Sequence, residues 1–440
     1  MGEMRVPAEA YYGAQTARAV ENFPISNARF GRPILRALGL IKKHAATVNE
    51  RHLSQEMAEA IAKAAAEVAE GRWDDQFVVD IFQTGSGTSL NMNANEVIAR
   101  RAEGIWGAGR RIHPNDHVNR GQSSNDVIPS ALHIAAWEEI SQRLIPALQG
   151  LESELGRKAG EWREVIKIGR THLQDATPLR VGEEFSGFAS QIQHGIRRLQ
   201  NLEPHLCELA LGGTAVGNGL NTDADFAAMV IERIATETGL PFREAENHFE
   251  AQGARDASVE ASGALKTVAV SLIKIANDIR LLGSGPRLGF GELKLPPTQP
   301  GSSIMPGKVN PVMCEMLIQV GAQVMGNDCV IAFAGATGQL QLNAMIPVIA
   351  KNLLESIHLL TNGVSAFTGR CISGLVLNAD KCRDNIERSL ALVTALVPEI
   401  GYDAAAQIAK KAEATGQTIR EAAKAESGLS SGQIDRLLKP

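Results

Sequence analysis

The informative absences in this 440-residue chain are a basic excess, a metal-ligand pattern among the cysteines and a signal peptide. The formal net charge is −5 at pH 7, whereas nucleic-acid binders normally carry a basic excess or stripe, so we expect no nucleic-acid partner. A small anionic substrate needs only local positive charge and remains compatible with this balance. No charged and then apolar segment opens the sequence, and no run reaches the length of a membrane span, so we expect no membrane association.

The five cysteines are too scattered to form a metal-ligand pattern (Cys207, Cys314, Cys329, Cys371 and Cys382). An odd, dispersed set of thiols is typical of the reduced state in a cytosol-like compartment. We therefore expect a cytoplasmic protein that uses neither a metal nor another cofactor.

Long helices dominate the predicted secondary structure. The clearest apolar seam has alternating intervals of three and four residues, at Leu265, Val268, Leu272, Ile275, Ile279 and Leu282. A helix from about Ala254 to Leu282 would be roughly 40 Å long. Four further segments predict long helices: 144–155, 185–202, 312–333 and 344–366. Five such helices indicate an all-α or mainly α protein with a central bundle.

The pattern changes twice along the chain, which predicts three domains. Shorter helices and a Gly- and Asn-rich stretch occupy 1–121, the long helices occupy 122–379, and short helices separated by glycines occupy 380–440. Helices this long expose more apolar surface than one subunit buries, so an oligomer is favoured over a monomeric bundle.

The most informative motif runs from Gly301 to Pro311, with the sequence Gly-Ser-Ser-Ile-Met-Pro-Gly-Lys-Val-Asn-Pro. Its prolines exclude a helix interior. Lys308 supplies positive charge, and Asn310 and Ser302 supply hydrogen-bond donors, as binding of a carboxylate or phosphate requires. A surface loop with an incidental lysine is the plainer alternative, but three apolar residues within the loop weaken it.

A second polar strip runs from Thr84 to Glu96 and includes Ser86 and Thr88. Its glycines let backbone N–H groups approach a ligand. The strip could instead be a helix start with serine or threonine as the N-cap and Glu96 in the first turns. Both interpretations can hold, because a helix N-terminus is itself an anion site.

Two polar tetrads follow, His-Pro-Asn-Asp at 113–116 and Ser-Ser-Asn-Asp at 123–126. Pro114 keeps the first tetrad out of a helix interior. Ser124 or Asn125 could cap a helix that begins near Asp126, and by sequence alone this capping role is as well supported as ligand binding.

His172 lies in the polar segment 169–178, next to Thr171. An imidazole is the natural proton carrier near neutral pH, although a lone histidine is more often structural. If these motifs serve a reaction that begins with removal of a proton, His172 would be the base by chemistry alone, because a serine hydroxyl is normally far too weak. The glycine-rich stretch 212–219 is interpreted mainly as a turn that needs glycine's backbone freedom.

Taken together, these motifs resemble those of the fumarase/aspartase superfamily, and the 301–311 loop is closest to class II fumarases. The resemblance covers essentially the whole chain. It implies a three-domain, mainly α fold and a small dicarboxylate substrate. It also implies a homotetramer whose central bundle joins the long helices of all subunits, with each active site built from three chains.

The resemblance also implies roles for individual side chains. Ser302 would take the proton as an alkoxide, and His172, paired with Glu315, would act on the leaving-group side through a water. The implied substrate-binding residues are Ser86, Thr88, Ser123, Ser124, Asn125, Thr171, Lys308 and Asn310. The implied secondary anion site consists of Arg110, His113, Asn115 and Asp116.

The residue set fits elimination across a C–C bond, in which a proton leaves from the carbon beside a carboxylate. Lys308 with Asn310 suits stabilisation of the resulting aci-carboxylate. Gly307 and Ser124 resemble fumarases, which implies water as the leaving group, whereas the segments 88–91 and 339–343 resemble aspartases, which implies ammonia. We expect reversible hydration of fumarate to L-malate, with aspartate ammonia-lyase as the alternative. A non-catalytic helical scaffold is more remote, because the candidate catalytic side chains are all present.

Overall fold

The computed structural model describes residues 2–107 and 109–439, and most of them are helical. The chain begins with α1 (Ala14–Asn22), α2 (Arg32–Val48), α3 (Gln55–Ala69) and α4 (Thr88–Trp106). The middle of the chain contains α5 (Ser124–Glu139), α6 (Ile145–Glu161), β1 (Ile166–Thr171), β2 (Gln174–Arg180), α7 (Val181–Gln200), α8 (Glu203–Leu206), β3 (Glu208–Leu209), α9 (Phe226–Thr238), β4 (Arg243–Glu244), α10 (His248–Gly253), α11 (Asp256–Leu282), β5 (Leu293–Lys294), α12 (Val312–Gly335) and α13 (Ile346–Phe367). The chain ends with β6 (Val376–Leu377), α14 (Ala379–Arg388), α15 (Val397–Ile400), α16 (Tyr402–Thr415), α17 (Ile419–Glu426) and α18 (Ser431–Leu437).

The short strands form three pairs. Strands β1 and β2 are antiparallel, β3 and β4 are parallel, and β5 and β6 are antiparallel. The β1–β2 hairpin is the longest of these and was not among the predicted elements.

The predicted mainly α class is confirmed. Every residue of the predicted heptad seam is buried, with at most 6% of its surface exposed. Helix α11, which carries the seam, begins at Asp256, two residues after the predicted start. The other four predicted long helices are α6, α7, α12 and α13.

The chain divides into two compact units. The first comprises Met1–Pro146, Gly195–Val270 and Val320–Asn362, and the second comprises Ala147–His194, Ser271–Gln319 and Gly363–Pro440. Each of the five long helices contributes residues to both units. The division into three domains, at 121 and 379, stays a prediction.

In the first unit, α2 is the central helix and packs against α3, α5 and α9. Its apolar stripe, which includes Ile34, Leu38 and Ile41, is fully buried. A Cβ atom on Gly39 would come within 2.8 Å of the Ala69 Cβ, so α2 and α3 approach closely only because this residue has no side chain. This close packing provides a rigid base for the polar segments that follow α3.

In the second unit, the short helices near the C-terminus form a small apolar core. Its members include Ile386, Leu392, Ile408 and Ile419, and Ile168 from β1 is buried among them. The β1–β2 hairpin is therefore anchored by the C-terminal helices.

Helix α12 contradicts the expectation that no run of the chain reaches the length of a membrane span. By length and composition it is apolar enough to cross a membrane, although only 33% of its apolar window is buried in the chain. In the first unit, Asp328 of this helix accepts a hydrogen bond from Ser262 Oγ at 2.8 Å, and Asn327 Nδ2 donates one to Ser356 Oγ at 3.0 Å. Helices inside soluble oligomers have the same length and composition, so this finding alone does not indicate a membrane span.

Candidate active site

A chain of three hydroxyls links two segments that are distant in sequence. Ser86 Oγ lies 2.7 Å from Thr88 Oγ1, which lies 2.8 Å from Ser124 Oγ. Ser86 and Ser124 are buried, and Thr88 is partly buried. We call Ser86, Thr88 and Ser124 the hydroxyl strip. It brings together three of the predicted substrate-binding residues.

The local backbone explains how the strip is presented. The N-cap of α4 is Gly87, whose φ of 74° lies in the left-handed region that favours glycine. The suggested serine or threonine N-cap is therefore wrong for this helix. The placement of Glu96 in the first turns is wrong too, because α4 begins at Thr88 and Glu96 lies in its third turn. There its carboxylate accepts hydrogen bonds from the backbone N–H groups of Gly13, Gln15 and Thr16.

Helix α5 begins at Ser124, two residues before the expected start near Asp126. Its N-cap is Ser123, and a capping box joins Ser123 to Asp126. The Asn125 side chain is thereby left free to donate through Nδ2 to the Ala215 carbonyl at 2.8 Å. Capping thus uses Ser123 and leaves the Ser124 hydroxyl for the strip.

Asp126 is a functional candidate that the sequence analysis missed. Its carboxylate accepts hydrogen bonds from the backbone N–H groups of Ser123, Gly212 and Thr214, at 2.9, 3.0 and 3.0 Å. It therefore fixes the glycine-rich turn 212–219 against the start of α5. The Ser-x-x-Asp spacing is the capping-box signal that could have identified it.

Lys42 is a second missed residue, and it is fully buried in α2. Its ammonium group donates to Asn119 Oδ1 at 2.8 Å and to Gln122 Oε1 at 3.0 Å. Asn119 Oδ1 also accepts from Asn91 Nδ2 of α4 at 3.1 Å. The network therefore supports α4 and the segment before α5. A lysine inside an otherwise apolar helical stripe was the available sequence signal.

Burial shifts the pKa values of both missed residues towards neutrality. Desolvation raises the pKa of Asp126 to about 6, against the opposing effect of its three backbone hydrogen bonds and the charge of Lys42. Desolvation lowers the pKa of Lys42 to about 7, and the charge of Asp126 opposes this shift.

The residues predicted for the secondary anion site lie on the surface of the first unit. His113 Nδ1 accepts hydrogen bonds from the backbone N–H groups of Asn115 and Asp116, at 3.3 and 3.1 Å. The Arg110 guanidinium carbon lies 4.6 Å from the centre of the Trp106 ring. All four predicted residues are exposed, and their role as an anion site stays a prediction.

In the second unit, His172 occupies the tip of the β1–β2 hairpin. The connection consists of His172 and Leu173, with φ angles of 55° and 61°. A two-residue turn with both φ angles positive normally contains Asn and Gly, because other residues are strained there by about 1 kcal/mol or more each. Thr171, His172 and Leu173 are exposed. The hairpin therefore holds an imidazole in a strained, outward-facing position.

The signature loop, residues 301–311, is closed by its own hydrogen bonds. Gly301 N donates to the Lys308 carbonyl at 3.0 Å, and Asn310 Nδ2 donates to the Gly301 carbonyl at 2.7 Å. Lys308 Nζ donates to Asn310 Oδ1 at 2.7 Å. A Cβ atom on Gly301 would lie 2.2 Å from the Lys308 carbonyl oxygen, so the closure requires glycine.

Ser302 is placed to hold negative charge on its oxygen. Its Oγ accepts hydrogen bonds from the backbone N–H groups of Ile304 at 3.2 Å and Met305 at 3.0 Å. Donors that point at an oxygen favour its anionic form. Ser302 and Lys308 both line an open cavity of about 410 Å³ formed by residues 297–302 and 305–309.

The predicted site residues thus form separate groups within one chain. The hydroxyl strip, Ser123 and Asn125 belong to the first unit, and the hairpin, the signature loop and Glu315 belong to the second. Within the described parts of the chain, no hydrogen bond or ion pair joins His172 to Glu315. Their predicted pairing stays a prediction.

Long helices, a buried hydroxyl strip and a Ser-Lys-Asn loop are together typical of helical-bundle lyases. A family model described as Lyase matches residues 2–326, and one described as Fumarase C C-terminus matches residues 392–440. The chain therefore belongs to the lyase family, and within it to the class II fumarases.

Known proteins agree with this assignment. The chain is 53% identical to the mitochondrial fumarate hydratase of Rhizopus oryzae, over 100% of this chain and 90% of that relative. It is 56% identical to the class II fumarate hydratase of Mycobacterium tuberculosis, over 96% and 89% of the two chains. The crystal structure of the class II fumarase from Schistosoma mansoni superimposes with a TM-score of 0.96 at 41% identity, over 100% of this chain and 96% of that chain.

Proposed function

We propose that this chain catalyses the reversible hydration of fumarate to L-malate without a metal or other cofactor. The relatives named fumarate hydratase match it over nearly its whole length. The observation within the chain that carries the proposal is the pair of backbone N–H groups donating to Ser302 Oγ. Among residues 2–107 and 109–439, no group of three or more His, Cys, Asp or Glu side chains could hold a metal ion.

In this mechanism Ser302 takes the proton from the malate carbon next to a carboxylate. That proton is very weakly acidic, so a serine base would have to act as an alkoxide whose charge is stabilised. The N–H groups of Ile304 and Met305 supply part of that stabilisation, and the ammonium group of Lys308 adds positive charge to the same loop. These donors lower the cost of ionising a hydroxyl that would otherwise be far too weak a base.

Proton removal places two negative charges on the reacting end of the substrate. Lys308 and Asn310 would bind this aci-carboxylate, and their hydrogen bond shows that the two side chains reach the same point. The remaining polar side chains would hold the substrate: Ser86, Thr88, Ser123, Ser124, Asn125 and Thr171. Because the hydroxyl strip is already internally hydrogen-bonded, little ordering is needed when substrate binds.

His172 would act where water leaves or attacks. An imidazole can give a proton to the leaving hydroxyl group, or take one from the attacking water, near neutral pH, directly or through one water. Glu315, carried by the first turn of α12, would bind the second ring nitrogen and fix the tautomer.

An absorbance assay tests the proposed reaction. Fumarate should form from L-malate in the presence of a chelator, and none should form from L-aspartate. Turnover of aspartate but not malate would make the protein an ammonia-lyase. Activity abolished by the chelator and restored by a divalent ion would refute the metal-free mechanism.

We further propose a homotetramer in the cytoplasm, with active sites shared between subunits. Four large apolar residues of the long helices are 40–68% exposed in the single chain: Val270, Met325, Val330 and Phe333. Partner helices would cover this surface. The five cysteines are all free, as expected in a reducing compartment.

Subunit complementation tests the shared sites. Homotetramers of Ser302→Ala and of His172→Asn should each have strongly reduced activity. Mixed tetramers, made by reversible dissociation, should recover activity because some sites would receive both wild-type residues. No recovered activity in verified mixed tetramers, or full activity of a monomer at high dilution, would contradict the shared-site proposal.

A further inference from the structure

We propose that Glu292 is the positioning residue for His172, acting through Arg170, which lies two residues before His172 on β1. The inference rests on the proposed role of His172 in fumarate hydration. Glu292 is 1% exposed and lies just before β5. Its ion pairs among the described residues are with Lys167 and Arg170 and not with His172, so we assign it a positioning role and not a catalytic one.

Glu292 is the shared partner of two cations on β1. Its Oε1 accepts a hydrogen bond from Arg170 Nη2 at 2.9 Å, and its Oε2 lies 3.1 Å from Lys167 Nζ. Lys167 is also buried, and its ammonium group contacts Glu184 Oε2 at 2.9 Å. One buried carboxylate therefore holds β1 at two points, and the nearer point is two residues from His172.

Arg170 is held on a second side by an aromatic ring. Its guanidinium carbon lies 4.2 Å from the centre of the Phe290 ring, and Phe290 is two residues before Glu292. The register of the hairpin shifts between Ile168 and Arg170. Such an irregularity changes the direction of the side chains that follow it. The contact of Arg170 with Glu292 fixes the strand directly after the shift.

The strained turn needs external support. Non-glycine residues with positive φ persist only where the surrounding structure imposes them. The tip cannot supply this support, because His172 is exposed and Leu173 is 68% exposed. Within one chain, the strand residues next to the tip can supply it, and there Glu292 binds Arg170.

Glu292 also joins the hairpin to the C-terminal helices. Asn385 Nδ2 of α14 donates to Glu292 Oε1 at 3.0 Å, and the backbone N–H of Asn378 donates to the Glu292 carbonyl at 2.8 Å. Ile168 packs in the core formed by those same helices. The C-terminal helices thereby gain a role in holding a candidate catalytic side chain.

The charge state of Glu292 agrees with this arrangement. Burial by itself would raise the pKa of its carboxyl group. The hydrogen bond from Arg170 and the charges of Lys167 and Arg170 outweigh burial, so the pKa is lowered and the group is ionised at neutral pH.

The test compares Glu292→Gln with Glu184→Gln in the purified full-length protein. Both changes remove a carboxylate bound to Lys167, but only the first removes the partner of Arg170. We expect Glu292→Gln to lower kcat by about 10- to 100-fold with KM nearly unchanged, because a displaced group loses catalysis more than binding. Glu184→Gln should stay near wild type.

A double-mutant cycle shows whether the effect passes through His172. In a His172→Asn background, Glu292→Gln should cause little further loss of kcat. Equal effects of the two glutamine variants, or a full additional loss in that background, would overturn the positioning role.

Hydrogen exchange gives a readout that does not depend on the reaction. Deuterium uptake by peptides covering 166–180 should rise in Glu292→Gln and remain normal in Glu184→Gln. Unchanged uptake in Glu292→Gln would overturn the proposal even if wild-type protein proved inactive on malate. If Glu292→Gln does not fold, Arg170→Lys, which keeps the charge but loses the planar fork, should show the same changes, and a wild-type result for it would refute the inference.

Discussion

The hydroxyl strip and the signature loop use similar polar groups in opposite ways. In the strip, Ser86 and Ser124 are 7% and 9% exposed and share Thr88 as a partner. In the loop, Ile304 is 82% exposed, and the side-chain contacts of Lys308 and Asn310 stay within the loop. The comparison indicates that the strip is ordered by the contacts of the fold itself. The loop can change its contacts at little cost to stability. A loop that closes to exclude water during a chemical step needs this freedom.

The largest effect should come from the loop. Ser302→Ala should lower kcat by about 10²–10⁴-fold, because it removes the proposed base. The free energy of unfolding should change by less than about 0.5 kcal/mol, since no core contact is lost. Steady-state kinetics and denaturant unfolding measure the two effects. The neighbouring Ser303→Ala is the matched control, and near-normal turnover of Ser302→Ala would return the base role to His172.

The next largest effect should come from the positive charge in the same loop. Lys308→Met should lower both kcat and kcat/KM, by about 10²–10³-fold, because the proposed role of its charge is to stabilise the aci-carboxylate more than the ground state. Lys294→Met, an exposed lysine outside the loop, is the control. A raised KM with unchanged kcat would show that Lys308 only binds substrate.

The strip should respond differently. Thr88→Val should mainly raise KM, and it should also lower the free energy of unfolding by about 1–3 kcal/mol because two buried hydroxyls lose their shared partner. Thr88→Ser keeps the oxygen and should retain most stability and affinity. If Thr88→Val left stability unchanged, the proposed contrast between strip and loop would fail.

The smallest effect on turnover should come from Lys42, which supports the polar segments of the first unit through Asn119 and Gln122. Its main effect should be on the pH dependence of stability. Burial lowers its folded-state pKa to about 7, whereas an unfolded lysine titrates near 10.4. The unfolded chain then binds more protons between these values, so the stability that Lys42 contributes rises from pH 7 towards 10 and is lost as pH falls through 7. Lys42→Met should abolish that rise in unfolding experiments, and Lys63→Met should keep it. If the free energy of unfolding had the same pH dependence in the two variants, the pKa of Lys42 would not be shifted.

Local pattern was sufficient for much of the fold. The heptad seam placed α11 to within two residues, because a 3.6-residue period needs no knowledge of neighbours. The glycine breaks after residue 379 were also found, and the helix C-caps at Gly401 and Gly416 have positive φ. The β1–β2 hairpin was missed because its turn is His-Leu. Only long-range contacts, including the packing of Ile168, impose that conformation.

For the candidate site, the motifs in the chain were enough to identify which chemical groups are present and to which family they belong. Hydroxyls, amides, an imidazole and an ammonium group in these motifs were readable because each motif is continuous in the chain. Tertiary structure decided which of the groups touch: Thr88 with Ser124, Asp126 with Gly212 and Thr214, and Arg170 with Glu292. These pairs lie 36 to 122 residues apart. The burial of these groups and the shifted pKa values of Asp126 and Glu292 depend on tertiary packing, which no local pattern contains.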